Sequence, residues 1–271
     1  MTRISFDREV MMQNDPMTTP ELKTIATRLW VRQAVDNISW FDLGDGAAIV
    51  DTGEAHSGLA EDVEEMLEET LGETPLKYLL NTHTHYDHTG LNDRLKQQYG
   101  LAVINGRDER LAGGDDLTLG GPGRTARMFH TGGVHTAEDC CIHLPEDSVL
   151  FVGDLFGWGL VPVNGHLVCE KADRIVDIYN DLIALDAATV IPGHGPNCST
   201  AELERWLEYF RWLSKGTVVG VQQGLTDEDI ARQLPPPEDM TDWWRLVDWK
   251  HKNSVGKVLE LARSGWGGLA K

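Results

Sequence analysis

The segment Asn81-Thr-His-Thr-His-Tyr-Asp-His-Thr-Gly90 concentrates three histidines and one aspartate directly after an apolar run. Alternate side chains of an extended segment share a face, so we expect His83 and His85 to point at one spot. Asp87 and His88 follow where the chain is predicted to turn into a helix, and they can point at a neighbouring spot. Imidazole and carboxylate groups are the ligands that borderline divalent metals prefer. The segment therefore predicts a metal site.

A simpler alternative is a polar loop between a strand and a helix, in which Asp87 only caps the first turn of the helix. This interpretation accounts for Asp87, but it leaves the three neighbouring histidines without a role. We therefore favour the metal site, as a hypothesis that depends on its structural context.

Four further residues with ligand chemistry, Asp51, His135, Asp154 and His194, lie just past the ends of predicted strands. The clearest case is Val149–Val152, an apolar run that leads through one glycine to Asp154. Sites in open α/β sheets form at the C-terminal edge of the strands. We therefore expect these residues to meet the His-rich segment at one edge of a sheet.

The charge of the chain limits its partners. Its 271 residues include 43 Asp and Glu against 24 Lys and Arg, a formal net charge of −19. This charge repels phosphate backbones and anionic membranes, so we expect neither as a partner. No segment reaches membrane-spanning length, and the start lacks the apolar core of a signal peptide. We expect a reduced, cytoplasmic protein with a small-molecule substrate; its oligomeric state is left open.

Strand-like and helix-like patterns alternate along the chain. Short apolar runs at 25–33, 37–42 and 47–50 predict strands. Helical spacing of apolar residues predicts helices over Leu59–Thr70 and Ala172–Leu185. Hairpins are predicted among the later strands, which favours an α/β fold with mixed rather than purely parallel sheets.

Three parts are expected along the chain. Residues 1–24 are predicted to be an irregular lead-in, residues 25–198 carry the strand and helix pattern, and residues 199–271 are predicted to form a C-terminal helical extension packed on the same domain. The extension is rich in tryptophan. We expect part of it, with the loop 156–162, to roof the cavity that selects the substrate.

Taken together, the motifs resemble those of the metallo-β-lactamase superfamily. His83-Thr-His85-Tyr-Asp87-His88 matches its H-x-H-x-D-H signature, and the remaining motifs occur in the family order: Asp51-Thr-Gly53, His135, Gly153-Asp154 and Gly193-His194-Gly195. The match spans about residues 25–198. The resemblance implies a four-layer αβ/βα sandwich of two mixed sheets, with metals at one edge.

The resemblance also implies a site for two divalent metal ions. Its ligands would be His83, His85 and His135 at the first metal, Asp87, His88 and His194 at the second, and Asp154 as a bridge. Asp51 resembles the carboxylate that orients ligands without binding metal. Zinc is the favoured metal, with iron or manganese as alternatives.

The implied activity is that of a dinuclear metal-dependent hydrolase, in which a metal-bridging hydroxide attacks a small ester, thioester or lactone. Asp87 is the candidate for orienting the attacking water. Phe156 and Trp158 follow the bridging aspartate and predict an apolar wall of the pocket. His166, further along that loop, is a candidate for substrate contact.

Two other functions of the same fold remain open from the sequence. One is an iron-dependent redox enzyme of the dioxygenase or diiron type, although no flavodoxin-like domain follows the core. The other is a ligand-binding sensor that kept the fold, which the complete ligand set disfavours. The tail shows no convincing basic cluster of the kind that a dedicated glutathione-thioester hydrolase would need for the carboxylates of its substrate.

Overall fold

The computed structural model describes residues 16–121 and 123–269, and within them the strands form two sheets. The first sheet contains, in spatial order, β1 (Glu21–Ala26), β2 (Leu29–Gln33), β3 (Ile38–Asp42), β4 (Ala47–Val50), β5 (Leu76–Leu80) and β6 (Ala102–Ile104). Strands β1 to β4 pair antiparallel, whereas β4, β5 and β6 pair parallel. The sheet is therefore mixed, as predicted.

The second sheet is also mixed. It contains, in spatial order, β7 (Leu117–Gly121), β8 (Arg124–His130), β9 (Cys140–Leu144), β10 (Val149–Gly153) and β11 (Thr189–Pro192). Only the pair β10 and β11 is parallel among these neighbours. Both sheets thus have parallel strands next to antiparallel hairpins, because long crossovers and short turns alternate along the chain.

Helices occupy the connections and the tail. They are α1 (Leu59–Leu71), α2 (Tyr86–Thr89), α3 (Asn92–Tyr99), α4 (Glu109–Ala112), α5 (Cys169–Ala184), α6 (Thr200–Gln222), α7 (Asp227–Gln233) and α8 (His251–Arg263). Short 3-10 turns cover Pro16–Thr18 and Glu238–Met240, and a π-helix covers Leu246–Lys250. Ser199 begins α6 with a capping box to Glu202, which fixes where the helical tail starts.

Apolar side chains fill three interfaces, which gives the predicted four layers. Between the sheets, the rings of Phe41 and Phe151 stack with centroids 5.9 Å apart. Outside the first sheet, α1 packs buried leucines and Val63 against Trp40. Outside the second sheet, Trp206 of α6 stacks on Tyr179 of α5 with ring centroids 4.3 Å apart. The tail helices therefore share a core with the second sheet.

The N-terminal part differs from the prediction. The run 25–33 is not one strand, because Arg28 adopts a left-handed φ of 56° and turns β1 back onto β2. β1 begins at Glu21, so the last part of the predicted lead-in is ordered sheet. Residues 1–15 of that lead-in lie outside the described residues. The turn at Thr27-Arg28 contains neither glycine nor proline, so no turn signal marked it in the sequence.

The C-terminal ends of the strands meet at one edge, where loops join the two sheets. The backbone N–H of Asn37 donates to the carbonyl of Gly193 (2.8 Å), and the N–H of Cys140 donates to the carbonyl of Thr82 (2.7 Å). The first bond joins the loops after β2 and β11, and the second joins the loop after β5 to the start of β9. In the described ranges, no helix has both the length and the apolar character needed to cross a lipid bilayer.

Candidate metal site

Seven residues at this edge form two adjacent groups of donor atoms. Each residue offers one nitrogen or oxygen, and within a group these atoms lie within 4.8 Å of one another. The first group is His83, His85, His135 and Asp154, and the second is Asp87, His88 and His194. The structure thus brings together all seven residues that the sequence analysis named as ligands, although they come from four separate segments, after β5, β8, β10 and β11.

The first group has three imidazoles, from the loops after β5 and β8, around one point. Nδ1 of His85 lies 3.1 Å from Nε2 of His83 and 3.0 Å from Nε2 of His135. Oδ2 of Asp154 lies 3.3 Å from the same nitrogen of His135. Ring nitrogens and a carboxylate oxygen converge here, and this donor set suits a borderline divalent cation.

The second group uses the other oxygen of Asp154. Nε2 of His88 and Nε2 of His194 are 3.2 Å apart, and Oδ1 of Asp154 lies 3.2 and 3.3 Å from them. Oδ2 of Asp87 is 3.6 Å from Nε2 of His194. Asp154 therefore directs one oxygen at each group.

The surroundings of Asp154 agree with a cation between the groups. Its Oδ1 is buried and makes no hydrogen bond of good geometry within the described residues, although two imidazole nitrogens are close. A buried carboxylate oxygen in this state is costly unless a cation or proton approaches it. Burial and the neighbouring imidazole of His88 lower the pKa of His83 to about 2, so that this ring is neutral and able to donate a lone pair. The residues fit a divalent metal.

Asp51 contacts His88 on the side away from the donor group. Its Oδ2 lies 2.9 Å from Nδ1 of His88 and accepts a hydrogen bond from the hydroxyl of Thr82. Its Oδ1 accepts a hydrogen bond from the backbone N–H of Thr82. Burial opposes the charged form of His88, but the carboxylates of Asp154 and Asp51 outweigh burial and raise its pKa to about 10. The same negative charge favours a metal cation at Nε2, where it competes with the proton.

Asp36 lies beside His194 as Asp51 lies beside His88, and it was not among the residues predicted from the sequence. Its Oδ1 lies 3.0 Å from Nδ1 of His194, which also lies 2.9 Å from the carbonyl oxygen of Val35. Burial opposes the charged form of His194, but Asp154 and Asp36 together raise its pKa well above the ordinary value. Asp36 lies three residues past the end of β2, which is also where the predicted run 25–33 ends, so the strand-end rule could have found it.

Two other missed residues shape the loops that carry the ligands. Asp139 accepts hydrogen bonds from the backbone N–H groups of Val134, His135 and Thr136, and so fixes the turn that presents His135. The side-chain amide of Asn37 donates to the carbonyls of Pro192 and Gly195, on both sides of His194. Both side chains make hydrogen bonds to backbone groups, and a search of the sequence for metal-ligand residue types does not detect such a role.

A cavity of about 420 Å³ opens beside the two groups. Asp87, His135, Asp154 and His194 line it on one side. The remaining lining residues are mostly apolar and come from the loop after β10 and from the tail: Gly157, Leu160, Val161, Pro162, Val163, Trp244, Arg245, Trp249, Lys250 and Asn253, with Val35 from the N-terminal half. The tail therefore contributes to the cavity wall, as expected for a roof.

The structure corrects the residues expected to form the apolar wall. Phe156 is 1% exposed and Trp158 is 8% exposed, and both belong to the core of the second sheet rather than to the cavity lining. Trp158 adopts a left-handed φ of 53° and donates from Nε1 to the carbonyl of Pro196. His166 has a side chain that is 80% exposed and pairs with Glu260, and it does not line the cavity either. The wall comes from Leu160 and its neighbours in the same loop.

Comparisons with known protein families and curated proteins agree with this geometry. A family model described as the metallo-beta-lactamase superfamily matches residues 35–194. A hydroxyacylglutathione hydrolase of Rhizobium meliloti (strain 1021) is 36% identical over 124 residues, 43% of this chain and 46% of that protein. Another, of Hyphomonas neptunium, is 36% identical over 197 residues, 65% of this chain and 73% of that protein. The matched segment thus spans less than half of the first relative.

Solved structures share the fold. A metallo-beta-lactamase from Pontibacter korlensis superposes with a TM-score of 0.60 at 19% identity, over 71% of this chain and 99% of that chain. The sec-alkylsulfatase Pisa1 from Pseudomonas sp. superposes with a TM-score of 0.68 at 14% identity, over 89% of this chain and 50% of that chain. At these identities the likeness concerns the fold alone.

Proposed function

Because the chain belongs to the metallo-β-lactamase superfamily, we propose that it is a hydrolase that depends on two divalent metal ions bound at the two donor groups. One observation supports two ions more than any other. The carboxylate of Asp154 directs Oδ2 at the first group and Oδ1 at the second, which is the arrangement of a bridging ligand. Seven donors are also more than one tetrahedral ion uses.

In this proposal each donor group holds one ion, and zinc is the first candidate because imidazole and carboxylate donors suit it. Iron and manganese are the alternatives to test. When bound, two such ions would lower the pKa of a shared water from about 15.7 towards about 7 and stabilise negative charge on the attacked group. Asp51 and Asp36 would orient the imidazoles of His88 and His194 through Nδ1, leaving Nε2 for the metal.

Asp87 is the residue proposed to act on the water. Its carboxylate belongs to the second donor group and also lines the cavity. An oxygen in this position can accept a hydrogen bond from a water molecule beside the metals and hold it in the direction of attack. Among the described residues that line the cavity there is no serine, threonine or cysteine to act as a nucleophile, which leaves that role to a water molecule.

The cavity favours a small, partly apolar substrate. Its volume of about 420 Å³ and its valine, leucine and tryptophan lining suit an ester, thioester or lactone with an apolar part. Thioesters are the first class to test, because the curated relatives are named for hydrolysis of an acylated glutathione. Apolar contacts discriminate weakly, at about 1–3 kcal/mol per methylene, so several related substrates are expected.

Two measurements test the proposal. Elemental analysis of protein purified without chelator should approach two equivalents of metal per chain, and identifies zinc, iron or manganese. Turnover should be found in a panel of esters, thioesters and lactones and should be lost in His85→Ala, which removes a proposed ligand, but not in His56→Ala, an exposed histidine that belongs to neither donor group and does not line the cavity. Full activity with one equivalent would refute the two-metal site, and an inactive, fully metallated protein that binds panel members would indicate a sensor.

A further inference from the structure

Five of the cavity-lining residues belong to one segment that follows β10. They are Gly157, Leu160, Val161, Pro162 and Val163, and we call residues 157–163 the wall loop. Its internal backbone bonds form short turns: the N–H of Leu160 donates to the carbonyl of Gly157, and that of Val163 donates to that of Val161. Proline cannot donate a hydrogen bond, and glycine loses the most conformational freedom on folding. The wall loop therefore needs contacts from other elements to keep one shape.

Ser254, in helix α8 of the tail, supplies two of these contacts. Its hydroxyl accepts a hydrogen bond from the N–H of Val161 (2.9 Å) and donates one to the carbonyl of Gly159 (2.8 Å). All three residues are buried, so removing the hydroxyl would leave buried polar groups without a partner. Leu160 lies between the two backbone groups that Ser254 holds. This serine therefore fixes the part of the backbone from which Leu160 lines the cavity.

Lys257 supplies a second set of contacts from the same helix. It follows Ser254 by three positions, so the two side chains lie on one face of α8. Its ammonium donates to the carbonyls of Val161 and Val163. A charged donor makes stronger hydrogen bonds than a neutral one. Between them, the two side chains hold the backbone of residues 159–163.

The tail also contacts the wall loop directly at Gly159. This residue has a left-handed φ of 94°, and a Cβ built on it would overlap Cδ1 of Leu246. Leu246 is fully buried and begins the π-helix that precedes α8. Only glycine allows so close an approach of the backbone. The short side chain of Ser254 can reach the wall loop because the two segments pack this tightly.

We infer that Ser254 and Lys257 are positioning residues: they hold the wall loop in one shape, and that shape limits the length of the apolar group that the cavity accepts. This inference rests on the proposed hydrolase function and deepens it by naming residues that set its substrate selectivity. Both lie outside residues 35–194, the segment that matches the family model. The limit on substrate length is therefore a property that the tail adds to the matched segment.

The kinetic test uses 4-nitrophenyl esters of straight-chain acids from acetate to decanoate. In the wild type, kcat/KM should rise with chain length while added methylenes find contacts, and fall once the chain meets the wall loop. In Ser254→Ala and in Lys257→Met this fall should be ~5–10-fold smaller, mainly through KM, because a loosened loop yields to the longer chain. An equal loss of kcat/KM at every chain length would mean that the bonds only stabilise the fold, and would overturn the inference.

Two further variants serve as rescue and control. Lys257→Arg should restore the wild-type profile to within about twofold, because a guanidinium can also donate to two carbonyls. Ser214→Ala should leave the profile unchanged. Ser214 is likewise a buried serine in a tail helix, and its hydroxyl makes no hydrogen bond among the described residues. A change in Ser214→Ala as large as that in Ser254→Ala would overturn the inference, because the effect would not depend on contact with the wall loop.

Hydrogen exchange tests the positioning itself, without a substrate. The amides of the wall loop should exchange ~3–10-fold faster in Ser254→Ala and in Lys257→Met than in the wild type, as for the loss of one hydrogen bond. The amides of β10 should not change, which separates loosening of the loop from loss of global stability. Unchanged exchange of the wall loop in both variants would overturn the inference. Lys257→Met, at a half-buried position, provides the test if Ser254→Ala does not fold.

A binding measurement separates this inference from the proposed function. Calorimetric titration of the metal-loaded protein with straight-chain carboxylates from acetate to decanoate should show a limiting length in the wild type and a greater one in Ser254→Ala and Lys257→Met. A limit that depends on these residues, without turnover of any ester or thioester, would refute the hydrolase and leave the positioning role standing. The same limit in the wild type and in both variants would refute the positioning role, whether or not esters are hydrolysed.

Discussion

The carboxylate of Asp36, from the loop after β2, lies 3.0 Å from Nδ1 of His194, from the loop after β11. The contact joins the two sheets, and it repeats the relationship between Asp51 and His88 on the other side of the site. Each carboxylate fixes the direction of one ring and strengthens it as a donor. The second donor group is thus held from both sheets at once.

Asp36→Asn should weaken metal binding by ~10–100-fold without abolishing it, because the amide keeps the shape but not the charge that supports His194. Asp51→Ala should have an effect of the same size through His88. Competition with a chromophoric chelator measures both. Asp45→Asn is the control, since Asp45 pairs with Lys77 on the exposed surface. Unchanged affinity in Asp36→Asn would mean that the backbone alone orients His194.

Gly193→Ala should disrupt the candidate site while the fold persists. A Cβ at this position would lie 2.4 Å from Oδ1 of Asp154 and 2.6 Å from Cε1 of His88, so the two side chains would have to separate. We expect metal affinity to fall by ~10-fold or more.

Gly256→Ala is the matched control for Gly193→Ala. Its Cβ would meet nothing within 4 Å, and the residue lies inside α8. Alanine there should raise the free energy of unfolding by ~0.5–1 kcal/mol, because glycine is the poorer helix former. Full metal affinity in Gly193→Ala would show that the site tolerates this movement.

The residues of the two donor groups could be named from the sequence because their positions follow from local pattern. The His83–His88 segment is continuous, and Asp51, Asp154 and His194 each follow a short apolar run. A residue at the end of a strand can be located from the sequence without knowing the tertiary structure. The four-layer fold was likewise expected, since strands, helices and hairpins alternate along the chain.

The cavity wall could not be predicted in the same way. Phe156 and Leu160 lie in one apolar loop, and only packing decides which enters the core and which faces the cavity. Arg245 and Lys250 each lie beside the Trp244 ring in the cavity wall, and their spacing in the sequence did not indicate it. Asp36 was missed although the predicted run 25–33 ends at the same residue as β2, three residues before it.

Trp158→Ala should act on stability rather than on selectivity. The ring is almost buried and contacts Phe156 and Trp243 edge to face, so its removal should cost ~3–5 kcal/mol of unfolding free energy. Leu160→Ala should do the opposite: it should change relative kcat/KM across an ester series by ~10-fold and leave the metal content intact. Denaturant midpoints and substrate profiles of both variants decide between the two roles.

The last prediction concerns Lys257, whose ammonium donates to the carbonyls of Val161 and Val163 in the cavity wall. Burial, with a smaller effect of the nearby Lys171, lowers the pKa of Lys257 from 10.5 to about 8. Between about pH 8 and pH 10.5 the unfolded chain therefore binds more protons here than the folded protein, so this group makes stability rise with pH across that window. Below pH 8 both states are protonated and the full cost of burying the charge remains.

Lys257→Met removes this titration. The difference in Tm between the wild type and Lys257→Met should therefore shift in favour of the wild type as the pH rises from 8 to 10, because only the wild type is relieved of a buried charge. Taking the difference cancels other groups that titrate in this range. Lys252→Met, at an exposed position on the same helix, should show no such shift. A difference that stays constant with pH would mean that Lys257 keeps an ordinary pKa and that the wall is held by its hydrogen bonds alone.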